Sequence, residues 1–450
     1  MSKVIKIRKG LDIKLAGKAE KVLERLEISS TYAVKPTDFT GLVPKLLIKP
    51  EDKVKAGTPL FFDKYKPEIL FTSPISGSVK AVNRGERRAI LEVVIEADGA
   101  QDYEKFEVAS QESQSREEVK TILLKSGIWP GIKQRPYAIV ANPVDVPKAI
   151  FISGLDTSPL APDLDFSVNG EEGALQKGFD ILHKLTDGKV HLTIPADRSA
   201  TSVFAKIKGV EMHEITGPHP AGNVGIQIHH IEPLNKGEVV WTLDPWTVIF
   251  IGRLFLNGVY DASKVISLAG SEVLKPRYYR LISGASISRL IEGRVSDGSN
   301  RFISGNVLTG QRVPSHGYLG FYDNQLTVIP EGKHFEFLGW AAPGFNKYSA
   351  SRTFFSKLLP IKSFRLDTNM NGGERAFVMT GQYEKVFPMD IYPVHLLKAI
   401  LAEDVEAMEN LGIYEVAEED FALCEFVCTS KIEVQEIVRK GLDLMIKEMN

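Results

Sequence analysis

Short apolar runs separated by turn residues fill the N-terminal quarter of the chain. The pattern predicts strands at Leu46–Ile48, Leu60–Phe62, Ile69–Thr72, Val79–Val82 and Ala89–Glu96. Turn signals recur between these runs at the spacing that is typical of a small all-β barrel or sandwich. Residues 1–105 are therefore predicted to form one all-β domain.

The turns of this domain carry a further pattern. The spacing of Val54, Gly57 and Leu60, followed by the segment SPISGSV, resembles that of biotinyl/lipoyl carrier domains, which are barrel-sandwich hybrids. Such carriers hold a modified lysine at a hairpin tip, which here would be the segment DKYKP around Lys64. This segment has neither carrier triplet, Met-Lys-Met or Asp-Lys-Ala, and it contains a proline. We interpret the domain as a structural copy of the barrel without carrier function.

Helical and strand patterns alternate over residues 106–256. Helices are predicted at Arg116–Ser126 and Leu175–Leu185, with strands at Ala149–Ser153, Lys189–Ile194 and Glu211–Ile215. This alternation is typical of a Rossmann-like α/β domain with a largely parallel sheet. Ligands of such sheets bind beyond the carboxyl ends of the strands, where Asp156 and Thr157 are expected.

The pattern changes again in the C-terminal half of the chain. Strands are predicted at Val265–Leu268, Tyr278–Ile282, Asn306–Leu308 and Tyr318–Phe321, with a short helix at Ser286–Leu290. Residues 257–330 are therefore predicted to form a β-grasp (SLBB-like) domain. Residues 331–375 form an irregular connection, and residues 376–450 a helical bundle with helices at Pro393–Leu411 and Lys431–Met449. The whole chain is predicted to be a multidomain α+β protein.

One loop has an unusual density of backbone-restricting residues. The segment GPHPAGNVGIQIHH, residues 217–230, contains three glycines, two prolines and three histidines. Two interpretations stay open: a stiff buried loop that enters a strand, or a backbone wall shaped to meet a flat ligand or a partner surface. If Ile226–His230 is a strand, His229 and His230 face opposite sides and cannot easily ligate one metal ion.

Composition limits the function classes. The chain has 450 residues, a formal net charge of -2 and dispersed basic residues, which argues against nucleic-acid binding. It lacks an apolar run long enough to span a bilayer and an N-terminal segment typical of a secretory signal. Two cysteines in the whole chain indicate a reducing compartment. A cytoplasmic location is expected.

Candidate cofactor chemistry is sparse. The sequence contains no G-x-G-x-x-G and no P-loop, and near Gly127 it offers Trp129 and Pro130 where a phosphate-binding loop is expected. A tryptophan fills the space of a flavin phosphate, and a proline removes an amide donor. We interpret this domain as one without nucleotide binding.

Metal sites are not expected either. Cys424 and Cys428 are two ligands where a cluster or a zinc site needs four, and the H-E-x-x-H pattern is absent. Two buried thiols explain the cysteines. His219 is explained either by a hydrogen bond to a quinone carbonyl or by burial in a satisfied network. No catalytic, cofactor-binding or metal-binding residue is assigned to the chain.

Longer segments resemble one family. They are Gly10-Leu11-Asp12-Ile13, SPISGSVKAVNRGERRAILEVVIEADG, IFISGLDTSPLAPD, LTDGKV, GPHPAGNVG, ISGNVLTG, GGERAFVMTGQYEKVFPMDIYP and EEDFALCEFVCTSK. These segments resemble the NqrA subunit of the Na+-translocating NADH:quinone reductase. The resemblance implies a peripheral protein on the cytoplasmic face of the bacterial inner membrane, within a six-subunit respiratory pump. This pump passes electrons from NADH to quinone and exports Na+, and its NAD, FAD, FMN, riboflavin and iron centres belong to partner subunits.

The family is also distantly similar to the flavin-binding subunit of complex I and to the corresponding subunit of the Rnf complex. This sequence departs from those relatives at the flavin loop near Gly127 and at the cluster cysteines. The family has been associated with quinone binding, and the first candidates here are Gly217, Pro218, His219, Pro220, Ala221 and Gly222. Asp156 and Thr157 are the second. The segment GIQIHH differs from the more usual GTHIH, so no histidine role can be carried over to Gln227.

Three hypotheses follow. The first is a cofactor-free NqrA subunit that serves quinone binding, assembly or both, and that is inactive in isolation. The second is a flavin-dependent NADH dehydrogenase subunit like those of complex I and Rnf. The third is a pure docking scaffold that binds no ligand.

Overall fold

The computed structural model describes residues 4–108, 114–333 and 336–449. The remaining positions, which fall inside the predicted ranges 1–105, 106–256, 331–375 and 376–450, lie outside the described residues. In chain order the first strands are β1 Ile5–Lys6, β2 Leu23–Arg25, β3 Thr31–Val34, β4 Pro44–Leu46, β5 Lys53–Val54, β6 Pro59–Asp63, β7 Leu70–Thr72, β8 Gly77–Arg84 and β9 Ile90–Ala97.

Strands β3 to β9 form the predicted barrel-sandwich. One sheet has the order β3-β9-β8-β5 and the other the order β4-β6-β7. Phe61 of β6 stacks on Phe71 of β7 in the buried interior, with ring centroids 4.8 Å apart. The turn between these two strands holds the exposed Tyr65 at the position of the carrier tip.

Strands β1 and β2 lie outside this sandwich. Ile5 of β1 pairs in parallel with Ile215, and Leu23 of β2 pairs in parallel with Tyr278. The N-terminal segment, which the pattern placed with the barrel, therefore contributes an edge strand to each of the two following sheets. The alternation of polar and apolar residues around Ile5 predicts a strand, but it does not identify the strand partner.

The α/β part follows. Its elements are α1 Arg116–Ser126, β10 Lys133–Arg135, β11 Ile139–Val140, β12 Ala149–Ser153, α2 Leu164–Ser167, α3 Glu172–Leu182, β13 Lys189–Pro195, β14 Glu211–Thr216, α4 Val224–Ile231, β15 Val240–Leu243 and α5 Pro245–Asn257. The sheet order is β1-β14-β13-β12-β15-β10-β11, with β12, β13, β14 and β15 parallel. The predicted parallel sheet is therefore present.

The predicted strand at Ile226–His230 is wrong, because these residues belong to helix α4. The first part of the helix is buried, at Gly225, Ile226, Gln227 and Ile228, and His230 near its end is exposed. A short apolar run carries too little periodicity to distinguish a strand from a buried helix. The preceding Pro-Ala-Gly-Asn turn starts a helix here.

A six-stranded sheet belongs to the next part, whose elements are β16 Ser263–Ala269, β17 Arg277–Ile282, α6 Ser288–Ile291, β18 Asn300–Ser304, β19 Gln311–Val313 and β20 Gln325–Pro330. The strand order is β19-β18-β20-β16-β17-β2. The strands predicted at Asn306–Leu308 and Tyr318–Phe321 are wrong. Asn306 Oδ1 accepts the backbone N–H groups of Leu308 and Thr309, and this side-chain turn competes with strand pairing.

The C-terminal part is helical, with α7 Tyr383–Val386, α8 Pro393–Leu401, α9 Val405–Asn410, α10 Ala422–Val427 and α11 Val434–Met449. Leu396, Leu397, Met408, Val438 and Leu442 form its buried centre. Within the described ranges, no helix is both long enough and apolar enough to cross a bilayer. The architecture confirms the predicted multidomain α+β class.

Candidate functional site

The two predicted candidate segments lie at the same edge of the seven-stranded sheet. Asp156 and Thr157 follow β12, and the Gly217–Gly222 loop follows β14, so both are at carboxyl ends of parallel strands. The chain passes from β12 to β13 on one side of β12, and from β14 to β15 on the other side. This reversal of connection, between β12 and β15, marks the position at which open parallel sheets commonly bind ligands.

Thr157 joins the two segments directly. The backbone N–H of Gly222 donates to Thr157 Oγ1 at 2.9 Å, and the same oxygen lies 3.1 Å from His219 Nδ1. Gly222 also lies so close to the Thr157 backbone that a Cβ atom would come within 2.6 Å of its nitrogen. The topology therefore brings both candidate sets into one hydrogen-bonded cluster.

The backbone of His219 is held by the N-terminal segment. Its N–H donates to Asp12 Oδ1 at 2.9 Å, and its carbonyl accepts from Leu11 N–H at 2.8 Å. Burial lowers the pKa of His219 below its ordinary value, although the carboxylates of Asp156 and Asp12 act in the opposite direction. The imidazole is therefore neutral near pH 7.

The second ring nitrogen of His219 remains available. In the described part of the chain, no residue hydrogen-bonds to Nε2. Thr157 Oγ1 already accepts from Gly222, and its own proton is satisfied when it donates to His219 Nδ1. That tautomer, assigned from the hydrogen-bond network, leaves the proton on Nε2. His219 can thus offer one N–H donor.

Gln227 stabilises the loop from helix α4. Its Nε2 donates to Ser153 Oγ at 2.8 Å and lies 3.2 Å from the carbonyl oxygen of Ala221 and 3.3 Å from that of Gly222. Ser153 is the last residue of β12. These contacts fix the loop, in which Gly217 is exposed and Pro220 and Ala221 are buried. Asp156, after β12, is exposed.

His229, which was considered as a possible metal ligand, contacts the C-terminal helical part. Its Nδ1 lies 2.8 Å from Glu415 Oε2, and its Nε2 accepts the backbone N–H of Asp390 at 3.0 Å. Both ring nitrogens therefore contact the C-terminal helical part. His229 joins helix α4 to that part, and neither of its nitrogens is left for a ligand.

Trp129 and Pro130 are packed at the junction of three domains. Trp129 is fully buried, donates its indole N–H to the Ala141 carbonyl at 2.8 Å, and lies edge-on to Trp241 with centroids 5.3 Å apart. The hydroxyl of Tyr322, from the β-grasp part, donates to the Pro130 carbonyl at 2.6 Å. These side chains occupy the region where a flavin loop was expected.

The two cysteines form a buried pair in the helical part. Tyr383 donates its hydroxyl to Cys428 Sγ at 3.0 Å, and burial raises the pKa of Cys424. Across the described ranges, no group of three or more His, Cys, Asp or Glu side chains is arranged to hold a metal ion.

Sequence reasoning missed an ion pair between β10 and the segment before α10, next to the start of helix α4. Arg135 Nη1 donates to Asp420 Oδ2 at 2.9 Å, and Arg135 Nη2 lies 2.6 Å from Glu419 Oε1. Asn223, just before α4, also donates to the Glu419 carbonyl at 3.1 Å. No local pattern could have revealed contacts between residues so far apart in the chain.

Three segments of the chain match models of known domains. Residues 5–98 match the NqrA N-terminal barrel-sandwich hybrid domain, residues 114–260 the NqrA second alpha/beta domain, and residues 265–315 the NQRA C-terminal domain. Two crystal structures of an NAD+-reducing NiFe hydrogenase are 12% and 11% identical, with TM-scores of 0.37 and 0.39, over 75% of this chain and 62% of theirs. Those values support no conclusion about function.

Full-length relatives are much more similar. The NqrA subunit of the Na(+)-translocating NADH-quinone reductase of Yersinia pseudotuberculosis serotype I is 41% identical over 448 residues, which cover 99% of this chain and 100% of the relative. The protein of the same name from Neisseria meningitidis serogroup A is 40% identical over the same shares. This chain belongs to the NqrA family of subunits of the Na+-translocating NADH-quinone reductases.

Proposed function

We propose that this chain is the peripheral NqrA subunit of a Na+-translocating NADH:quinone reductase, on the cytoplasmic face of the inner membrane. It carries no cofactor, contributes to quinone binding and is inactive in isolation. The names and the full-length similarity of its relatives support this role. Its partners are the other five subunits of the pump, which hold NAD, FAD, FMN, riboflavin and iron.

The observation that carries the quinone assignment is the free Nε2 donor of His219 at the edge of the sheet formed by the carboxyl ends of β12 and β14. A quinone headgroup is a flat ring with two carbonyl acceptors, and it suits a rigid backbone wall with one placed donor. Gly217, Pro218 and Gly222 supply the accessible part of that wall, and the buried Pro220 and Ala221 support it from behind. Thr157 Oγ1 holds the imidazole, and Asp156 lies exposed beside it.

Calorimetric titration of the purified full chain with a water-soluble ubiquinone analogue tests this assignment. We expect saturable binding that is lost in His219→Gln, because glutamine cannot reproduce the donor geometry. His395→Gln, on an exposed position of α8, is the matched control and should bind like the parent chain. Equal binding by both variants would show that the quinone site lies elsewhere.

The absence of a cofactor is tested by the absorbance spectrum of the purified chain. The packing of Trp129 and Pro130 supports a colourless protein that does not oxidise NADH. Bound flavin would instead favour a dehydrogenase subunit of the complex I type. If neither the chain nor the assembled pump binds quinone at His219, the pure docking scaffold is the better description.

A further inference from the structure

Residues 336–362, which we term the apolar lobe, expose an unusual amount of hydrophobic surface. Phe337 is 94% exposed, Trp340 80% and Leu358 74%. Other exposed side chains of the lobe are Leu338, Phe345, Phe355 and Leu359. Soluble proteins rarely expose so many large apolar side chains within one short segment, and such patches mark interaction surfaces.

The lobe is a folded unit that holds these side chains outward. Phe355 N–H donates to the Pro343 carbonyl at 3.0 Å, and the rings of Phe345 and Phe355 lie 5.9 Å apart. Just beyond its C-terminal end, Phe364 N–H donates to the Lys14 carbonyl at 2.7 Å. The exposed rings therefore belong to an ordered surface attached to the N-terminal segment.

The charge of the lobe differs from that of the rest of the protein. It has four basic residues, Lys347, Arg352, Lys357 and Lys362, against the single carboxylate of Glu336. Glu336 pairs with Lys347. Within the described ranges, Arg352, Lys357 and Lys362 form no ion pair. The lobe is thus strongly basic in a chain whose net charge is -2.

We propose that the apolar lobe binds directly to the surface of an anionic phospholipid bilayer. Tryptophan and phenylalanine side chains partition into the interfacial layer, and nearby lysine and arginine side chains are attracted to anionic headgroups. A bilayer satisfies both requirements at once without fixed geometry. A protein partner would need an apolar pocket and several carboxylates at matching positions. This inference does not depend on the quinone assignment.

Trp340 provides a specific reporter for the test. The other three tryptophans, Trp129, Trp241 and Trp246, are at most 1% exposed, so a change of environment on membrane binding is reported by Trp340. The purified full chain is mixed with vesicles of phosphatidylglycerol and phosphatidylcholine, or of phosphatidylcholine alone. We expect cosedimentation and a blue shift with the anionic vesicles, and release at about 0.5 M salt.

Two variants separate the apolar and electrostatic contributions. Phe337→Ser combined with Leu358→Ser keeps the reporter and should lower the partition coefficient by about tenfold or more. Replacing Arg352, Lys357 and Lys362 by glutamine should remove the preference for anionic vesicles. Val144→Ser combined with Leu274→Ser, which changes exposed apolar side chains elsewhere, is the matched control and should bind like the parent chain.

Two results would overturn the proposal that the apolar lobe binds the bilayer. The proposal is overturned if the folded parent chain binds neither type of vesicle. It is also overturned if the blue shift occurs only when a detergent-solubilised partner subunit is added, which would identify a protein interface. Circular dichroism of each variant confirms that a loss of binding is not a loss of folding.

Discussion

Arg135 and Asp420 form a buried ion pair between residues 285 positions apart in the chain. The side chain of Arg135 is 4% exposed and that of Asp420 is fully buried. The pair joins strand β10 of the α/β sheet to the short turn before α10. It lies beside the candidate loop, because Asp420 also contacts Gly225 at the start of α4.

Removing one partner of this pair should be strongly destabilising. Asp420→Ala leaves the Arg135 guanidinium buried with Glu419 as its remaining partner, and we expect a loss of about 3 kcal/mol in the free energy of unfolding. Urea denaturation, monitored by circular dichroism, measures this loss. The exposed pair Lys80–Glu96 is the control, and Lys80→Ala should lower the free energy of unfolding far less than Asp420→Ala. Equal losses in the two variants would contradict the assigned role.

A methyl group at Gly225 should weaken the same junction. A Cβ atom there would lie 2.6 Å from both carboxylate oxygens of Asp420, so Gly225→Ala should lower the free energy of unfolding by about 1 to 3 kcal/mol. Gly173 is the matched control, since it is also the second residue of a helix and a Cβ atom added there would have no other atom within 4 Å. Gly173→Ala should be neutral or stabilising by about 0.5 kcal/mol. Differential scanning calorimetry of both variants measures the two changes in stability, and equal changes would contradict the predicted clash at Gly225.

Thr157→Val should disconnect the two candidate segments. The valine has a similar shape but cannot accept from Gly222 N–H or donate to His219 Nδ1, and we expect a loss of about 1 to 3 kcal/mol in stability. Quinone affinity, measured by calorimetric titration, should fall as well because the imidazole loses its orientation. Thr157→Ser retains the hydroxyl and should restore both properties. Failure of serine to do so would argue against a hydrogen-bonding role.

Acid should weaken the fold through His191. Burial and the neighbouring His213 lower the pKa of His191 to about 4, while the ordinary value is 6.5. Between these values the unfolded chain binds a proton that the folded protein does not, so the free energy of unfolding falls as the pH is lowered from 6.5 toward 4. Allowing for solvent screening, we expect a contribution of about 2 kcal/mol.

Urea denaturation at a series of pH values checks this prediction by comparison with His191→Gln. The variant should lose less stability over the same interval. His395→Gln, at an exposed position, should follow the parent chain. The groups that face His191 are His213, 2.9 Å away, Glu232 and Glu211. Parallel curves for the parent and His191→Gln would assign the acid sensitivity to other groups.

Local signals in the sequence determined several elements completely. Helix α1 has the predicted bounds because Ser115 and Glu118 form a capping box and Gly127 ends the helix in the left-handed conformation. Strand β12 also has its predicted bounds, since its buried apolar run lies between Lys148 and Gly154. The position of Asp156 and Thr157 at a strand end followed from this pattern alone. Such features depend only on residues close together in the chain.

Tertiary structure decided the rest. The strand partners of β1, the helical state of α4 and the contact between Arg135 and Asp420 all depend on residues far apart in sequence. The sequence indicated the Gly217–Gly222 loop and Thr157 as separate candidates. Only the order of the strands placed the Thr157 hydroxyl against His219. A short apolar segment has nearly the same local free energy as helix or strand, and the burial available in the folded protein selects between them.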